Sequence, residues 1–145
     1  MTNTTHEPQR SPATGAEVIG QFLLHSPFVL HLGIRLESIE PDRARLVLPY
    51  REELATIGDV VHGGALSALV DTAAMAAAWS AHDSGPLRGT TVGLSVDFVA
   101  AARGQPVTAD ARVIRRGSSL SFCDVDVTDE EGRVVAKGIV IYKLG

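Results

Sequence analysis

The most apolar segment of the chain, "VVHGGALSALVDTAAMAAAWS" at residues 60–80, contains a single carboxylate, Asp71. No Lys, Arg or Glu occurs between residues 60 and 81. An ionised carboxylate is costly to bury unless it is paired or hydrogen-bonded. Asp71 is therefore either a structural group that caps or pairs with another element, or a group that faces a ligand or a second chain.

Two adjacent glycines, Gly63 and Gly64, stand where a helix through this segment would begin. The first N–H groups of a helix have no internal acceptor, and glycine lets a substrate oxygen approach them closely. Such donors suit an anion or a developing oxyanion. The alternative is that the glycines only allow a tight entry turn, and His62 is interpreted as a packed, hydrogen-bonded histidine.

The helix is predicted to run from His62 to about Ser80. Its apolar residues follow the i, i+3, i+4, i+7, i+11 spacing of one helix face; they are Leu66, Leu69, Val70, Ala73 and Ala77. At about 100° per residue, Asp71 lies roughly 140° from Leu66. Its neighbours on that side, Gly64 and Ser67 among them, are small, which leaves room for a ligand or a second chain.

The other elements are predicted from periodicity and turn residues. A short helix over residues 16–26 ends at Pro27, a β-hairpin covers residues 33–50, and residues 51–61 form an irregular connection. Four alternating runs, at residues 90–100, 106–116, 119–129 and 133–144, read as strands. We therefore expect an α+β fold, with an antiparallel six-stranded sheet wrapped around the long helix.

Composition limits the classes of function. The net charge of −4 argues against nucleic-acid and membrane partners, and the histidines show no metal-ligand spacing, so no metal site is expected. The single cysteine, Cys123, excludes an intrachain disulfide and favours a cytoplasmic location. Residues 1–14 are expected to be a disordered leader, with one domain over residues 15–145.

Three segments together resemble a known family. "GDVVHGGALSALVDTAA", "TTVGLSVDF" and "RVVAKGIVIYK" look like a hotdog-fold acyl-CoA thioesterase of the phenylacetate-degradation (PaaI) type, over roughly residues 32–144. The resemblance implies a buried helix inside a curved sheet and hydrolysis of an acyl-CoA thioester. It implies no cofactor beyond the CoA of the substrate.

The resemblance also implies roles for individual residues. The backbone N–H of Gly63 would polarise the thioester carbonyl, and Asp71 would act as general base or nucleophile. Thr91 would orient the attacking water beside the acid, and His62 would support the start of the helix. Many members have an Asn six residues before the histidine, where this chain has Thr56, a departure that bears on rate and substrate class.

Substrate and CoA binding are expected at two places. Small residues near the acid, Gly64 and Ser67, would leave room for the thioester. In "VIRRGSS", where the family often carries a basic turn, Arg115, Arg116 and Gly117 would bind the CoA phosphates.

Gly63 and Asp71 are eight residues apart, or about 12 Å along one helix axis, too far to converge on one carbonyl carbon. The simplest arrangement pairs Gly63 of one subunit with Asp71 of another across a two-fold axis. We therefore expect a homodimer, and a homotetramer as a dimer of dimers, as the resemblance also implies. A non-catalytic acyl-CoA binding or sensing protein on the same fold is the alternative function.

Overall fold

A computed structural model describes residues 14–82 and 88–145, which form an α+β fold of one long helix and one large sheet. The helices are α1 (Gly15–His25), α2 (Pro27–Leu32) and α3 (Gly63–Ser80). The strands are β1 (Arg35–Glu40), β2 (Arg43–Leu48), β3 (Ala55–Ile57), β4 (Val60–Val61), β5 (Gly89–Phe98), β6 (Val107–Arg116), β7 (Leu120–Thr128) and β8 (Val134–Leu144).

The predicted first helix is present, and a capping box starts it. Thr14 accepts a hydrogen bond from the Glu17 N–H, and the Glu17 carboxylate accepts one from the Thr14 N–H. Residues 1–13, most of the predicted leader, lie outside the described residues. Pro27 does more than end α1, because it also opens the short helix α2, where its missing N–H costs nothing.

The prediction that residues 51–61 are irregular was wrong. A 3₁₀ turn at Glu52–Leu54 leads into β3 and β4, which pair as a small antiparallel hairpin. The Val61 N–H donates to the Ala102 carbonyl at 2.9 Å and so fastens β4 to the segment after β5. Strands of two and three residues are too short to produce a detectable alternation.

The six long strands form one antiparallel sheet in the order β1-β2-β6-β7-β8-β5. Alternate residues of β6 and β7 point to the same buried face, as the alternation predicted; on β7 they are Cys123, Val125 and Val127. Burial raises the pKa of the Cys123 thiol to about 11, which suits a packing role. Strands β1 and β5 lie at the two edges of the sheet.

Helix α3 lies against the inner face of this sheet and contacts all six of its strands. Its predicted apolar face is buried, from Leu66 to Ala77. The approach to β8 is close: a Cβ on Gly138 would stand 2.4 Å from Cγ1 of Val70. The sheet therefore covers one side of α3. The other side of α3 contacts α1 and includes a strip of residues that stays open.

Candidate active site

The N-terminus of α3 carries one occupied and one unoccupied N–H donor. His62 is the N-cap, and its Nδ1 accepts a hydrogen bond of 2.8 Å from the Gly64 N–H. Within the described part of the chain, the Gly63 N–H has no acceptor. Gly63 therefore offers the free donor that the sequence predicts, whereas the N–H of Gly64 is committed to His62.

The structure differs from the predictions for His62 and Gly64. His62 is exposed rather than packed in the core, although it is hydrogen-bonded. Gly64 can leave space for a substrate but cannot offer its N–H, and a Cβ there would stand 2.9 Å from Nδ1 of His62. The cap therefore gives His62 a local structural role and favours a residue without a side chain at position 64.

Asp71 lies on an open strip of α3, opposite the buried face, as its helical position predicts. The strip consists of partly or fully exposed residues, namely Gly64, Ser67, Ala68, Asp71 and Met75. No ion pair to Asp71 is found among residues 14–82 and 88–145. The interpretation of this acid as one half of a structural ion pair therefore finds no support in the geometry.

The hydroxyl of Thr91, on β5, donates to Oδ1 of Asp71 at 2.5 Å. Residues 20 positions apart in the chain thus meet at the open strip, because β5, an edge strand of the sheet, packs against α3. The second carboxylate oxygen of Asp71 has no protein donor within the described residues. A carboxylate that is anchored by one oxygen keeps the other for a water molecule or a substrate.

Behind this pair lie two buried aromatic side chains. Tyr142 sits opposite Thr91 in the β5–β8 register, and its hydroxyl accepts a hydrogen bond of 3.1 Å from Nε1 of Trp79. Burial raises the pKa of Tyr142, the Trp79 N–H lowers it in part, and the Asp71 carboxylate raises it further. The phenol stays neutral at physiological pH, so it places no second negative charge beside Asp71.

Ser67 lies between the two predicted groups on the open strip. Its hydroxyl donates back to the Gly63 carbonyl at 2.9 Å, a local bond that holds the short side chain against the helix backbone. The structure therefore keeps room on the strip between Gly63 and Asp71. It does not bring these two residues of one chain together.

A cavity of about 430 Å³ opens at Gly63 rather than at Asp71. Thr56, predicted as a site residue, lines this cavity together with Gly63. Sequence reasoning missed Phe98 and Val99, which also line it and are 55% and 61% exposed. Phe98 follows the apolar alternation of β5 and so resembles a core residue, and only its place at the end of an edge strand distinguishes it.

The predicted CoA-binding turn is split by the structure. Arg115 and Gly117 line a separate cavity of about 560 Å³ at the β6–β7 connection. Arg116 points elsewhere: it pairs with Asp42 at 2.6 Å and donates to the Ala78 carbonyl at 3.0 Å, near the end of α3. Arg115 thus lines a cavity, whereas Arg116 holds the β1–β2 turn to α3.

Residues 14–82 and 88–145 lack two further features. No three His, Cys, Asp or Glu side chains there are grouped as metal ligands. None of the helices there is both long enough and apolar enough to span a bilayer.

The architecture, a six-stranded antiparallel sheet around one long helix, is the hotdog fold of thioesterases, as predicted. The family model of the thioesterase superfamily matches residues 58–136, from the β3–β4 hairpin into β8. That range contains Gly63, Asp71 and Thr91. The chain belongs to the thioesterase superfamily.

Individual relatives agree with this assignment. The Mycobacterium tuberculosis H37Rv protein named "Putative esterase Rv1847" is 34% identical over 116 residues, which cover 79% of this chain and 83% of that protein. The medium/long-chain acyl-CoA thioesterase YigI of Escherichia coli K12 is 26% identical over 146 residues, covering 89% of this chain and 93% of YigI.

A solved structure shows the same fold at lower identity. The Escherichia coli PaaI protein from the phenylacetic acid degradation operon superposes with a TM-score of 0.81 at 21% identity, covering 90% of this chain and 94% of that chain. This likeness shows the shared fold, and the narrower assignment to the PaaI type stays a prediction.

Proposed function

We propose that the protein hydrolyses an acyl-CoA thioester to a free acid and CoA, with Asp71 as the group that activates water. The observation that carries this proposal is the Asp71–Thr91 pair. The carboxylate is held by one oxygen at 2.5 Å and has no ion-pair partner within the described residues. It lies on the open strip of α3, the helix whose first N–H is free. A general base needs such a fixed but accessible oxygen.

The proposed reaction uses two groups. The Gly63 N–H donates to the thioester carbonyl oxygen and stabilises the negative charge that develops on it. Asp71 accepts a proton as the water oxygen bonds to the carbonyl carbon. When the tetrahedral intermediate collapses, the C–S bond breaks and the proton passes from Asp71 to the CoA sulfur. Asp71 is ionised again, and the reaction needs no metal or further cofactor.

Thr91 keeps the base in position during these steps. Its hydroxyl donates to Oδ1, so the other oxygen of Asp71 faces the water. The neutral Tyr142 behind the pair adds no repulsion when Asp71 is ionised. Thr91 and Tyr142 thus hold the Asp71 carboxylate in place without adding a charge beside it.

A complete site in this proposal needs two copies of the chain. Gly63 and Asp71 stand about 12 Å apart along one helix, and the Gly63 cavity does not reach Asp71. Two antiparallel α3 helices, related by a two-fold axis level with Ser67, bring Gly63 of one copy level with Asp71 of the other, because Ser67 lies midway between them. Each dimer then holds two sites.

The edge of the sheet supports a second copy at this place. Strand β5 has ten residues, and its outer edge has no neighbouring strand among the described residues. Val92 and Leu94 on this strand are 54% and 47% exposed. Because long apolar edges are normally covered, pairing of β5 with β5 of a second copy accounts for both features. Further pairing of dimers into a tetramer is part of the proposal.

The relatives suggest the class of substrate. YigI is named as a medium/long-chain acyl-CoA thioesterase, and we extend the acyl-CoA class to this chain. Arg115 and Gly117 at the second cavity would receive the CoA phosphates, since a guanidinium matches phosphate geometry.

The experiment is a thiol-release assay on a panel of acyl-CoA thioesters, with Asp71→Ala beside the wild type. We expect turnover by the wild type and a loss of 10²-fold or more in the variant, on the order of general-base catalysis. Glu130→Ala, which removes an exposed carboxylate from the β7–β8 turn, away from α3 and β5, is the matched control and should keep full activity.

Equal activity of the Asp71→Ala protein would rule out the assignment of the base. Tight acyl-CoA binding by a folded wild type that releases no thiol would favour the alternative, a binding or sensing protein.

A further inference from the structure

The cavity at Gly63 has a preformed wall. The segment after β5 is fastened on both sides: the Val99 and Ala100 N–H groups donate to the Val135 carbonyl at 2.9 and 3.2 Å, and the Ala102 carbonyl accepts from Val61 at 2.9 Å. Ala102 is almost fully buried. A wall held by backbone hydrogen bonds from two elements keeps its shape before any ligand arrives.

The lining of this cavity is apolar and uncharged. Thr56 supplies the one polar side chain among the residues that line it, and the remainder are aliphatic or aromatic side chains and Gly63. A volume of about 430 Å³ falls in the range of small-molecule sites. An apolar group suits this cavity, whereas a carboxylate or an ammonium would lose its hydration there without gaining a partner.

One ring stands against Gly63, the residue that carries the free donor. A Cβ placed on Gly63 would lie 3.1 Å from Cζ of Phe98 and 3.2 Å from one of its Cε atoms. More than half of the Phe98 side chain is exposed at the mouth of the cavity. Phe98 thus lines the cavity next to Gly63, so an acyl chain that enters the cavity from a carbonyl bound at Gly63 runs beside this ring.

We propose that the Gly63 cavity receives an uncharged, apolar acyl chain and that Phe98 sets the largest acyl group the site accepts. The proposal rests on the proposed function, since it places the thioester carbonyl at Gly63. It assigns Phe98 to specificity and not to the chemical step, because the ring has no group that could transfer a proton.

The test measures kcat/KM for straight-chain acyl-CoA thioesters from acetyl to palmitoyl, with succinyl-CoA as a charged acyl group. Binding of non-hydrolysable thioether analogues of the same chains is measured by calorimetry. The variants are Phe98→Ala and Phe98→Trp. Ile139→Ala is the matched control, since Ile139 is an exposed apolar residue on β8 outside the cavity.

For the wild type we expect kcat/KM to rise about fourfold per added methylene, the value of burying one CH₂, up to a limiting length. Phe98→Ala should move that limit to chains longer by about two carbons or more, because truncation empties the volume of several methylenes. Phe98→Trp should move it to shorter chains. Ile139→Ala should keep the wild-type limit, and succinyl-CoA should be a poor substrate.

The outcomes separate the two proposals. An unchanged limit in both folded Phe98 variants, or succinyl-CoA processed as well as butyryl-CoA, would overturn the role of the cavity and of Phe98. A wild type that binds the analogues with the expected shift in Phe98→Ala, yet hydrolyses no thioester, would overturn the proposed function alone. Absence of both hydrolysis and analogue binding would contradict both proposals.

Discussion

The hydrogen bond between Thr91 and Asp71 is the most specific feature of the site, since it fixes one carboxylate oxygen and leaves the other accessible. Thr91→Val should lower kcat by about 10-fold or more with little change in KM, because a hydrogen bond to a charged group is worth about 1.5–3 kcal/mol. Steady-state kinetics with one acyl-CoA substrate measures both constants.

Thr91→Ser provides the control for this prediction, since serine restores the hydroxyl and should recover most of the lost kcat. A valine variant with wild-type kcat would show that the hydrogen bond does not position the base. A loss confined to KM would assign Thr91 to substrate binding instead.

A second carboxylate, Asp129, has a structural role in the β7–β8 turn. Its side chain is buried and accepts hydrogen bonds from the N–H groups of Glu131 and Arg133 and from the Arg133 guanidinium. Burial alone would raise the pKa of Asp129, but these hydrogen bonds outweigh it and hold the pKa below its ordinary value of 3.8.

Because the folded-state pKa of Asp129 is depressed, the ionised carboxylate stabilises the fold at neutral pH, and this contribution is lost as the pH falls below about 4 through the folded pKa. Asp129→Asn should unfold more easily at pH 7 and approach the wild type as the pH falls through the folded-state pKa of Asp129. Urea unfolding across this range measures the difference. Glu130→Gln, an exposed neighbour, should follow the wild-type curve, and an equal effect of both variants would contradict the prediction.

Among the elements, α3 and the four C-terminal strands could be predicted from the sequence because each is long relative to its period. The β3–β4 hairpin could not, since two or three residues carry no alternation. The contact of Thr91 with Asp71 depends on the packing of edge strand β5 against α3, a fact of topology that spacing along the chain does not contain. The resemblance to a family suggested the Thr91–Asp71 pair, which the periodicity of the sequence does not indicate.

The β6–β7 connection shows the same limit for charged residues. Arg115 and Arg116 are adjacent in the sequence and chemically equal, so the resemblance implied a phosphate-binding role for both. A register irregularity between Val113 and Arg115 interrupts the alternation just before them. In the structure Arg115 lines the cavity at the β6–β7 connection, and Arg116 reaches α3.

Substitutions of these two arginines should affect different properties: substrate binding at Arg115 and the stability of the fold at Arg116. Arg115→Met should raise KM for acyl-CoA and leave the free energy of unfolding unchanged. Arg116→Met removes the pair with Asp42 and the donor to the Ala78 carbonyl, so it should lower the free energy of unfolding by about 1–2 kcal/mol and leave KM unchanged. Urea unfolding and steady-state kinetics on both proteins provide the measurements. Exchanged phenotypes would show that Arg116 is the phosphate ligand.

In the molecule as a whole, the two faces of the sheet differ in chemistry. The outer face carries ion pairs between neighbouring strands, such as Arg43 with Asp110 and Lys137 with Asp126, at 2.7 and 2.5 Å. Charges that are already paired and solvated give little reason for close apolar association. The exposed apolar residues of β5 and the open strip of α3 lie on the other side. A second copy is therefore expected along β5 and α3.

The shared site can be tested with a dimer of two different inactive chains. Asp71→Asn removes the base but keeps the Gly63 donor. Gly63→Val keeps the base, but its Cβ meets the Phe98 ring and blocks the donor. Each homodimer should be nearly inactive. In the mixed dimer, one site combines the intact Gly63 with the intact Asp71, whereas the other site carries both defects.

Co-expression of the two chains with different affinity tags allows the mixed dimer to be isolated. Its activity should be about half that of the wild-type dimer, since one of the two sites is complete. If both groups belonged to a site within one chain, every chain in the mixed dimer would carry a defect and the activity would stay at the level of the homodimers. The mixed dimer therefore measures directly whether the glycine end of one α3 helix works with the acid of the next.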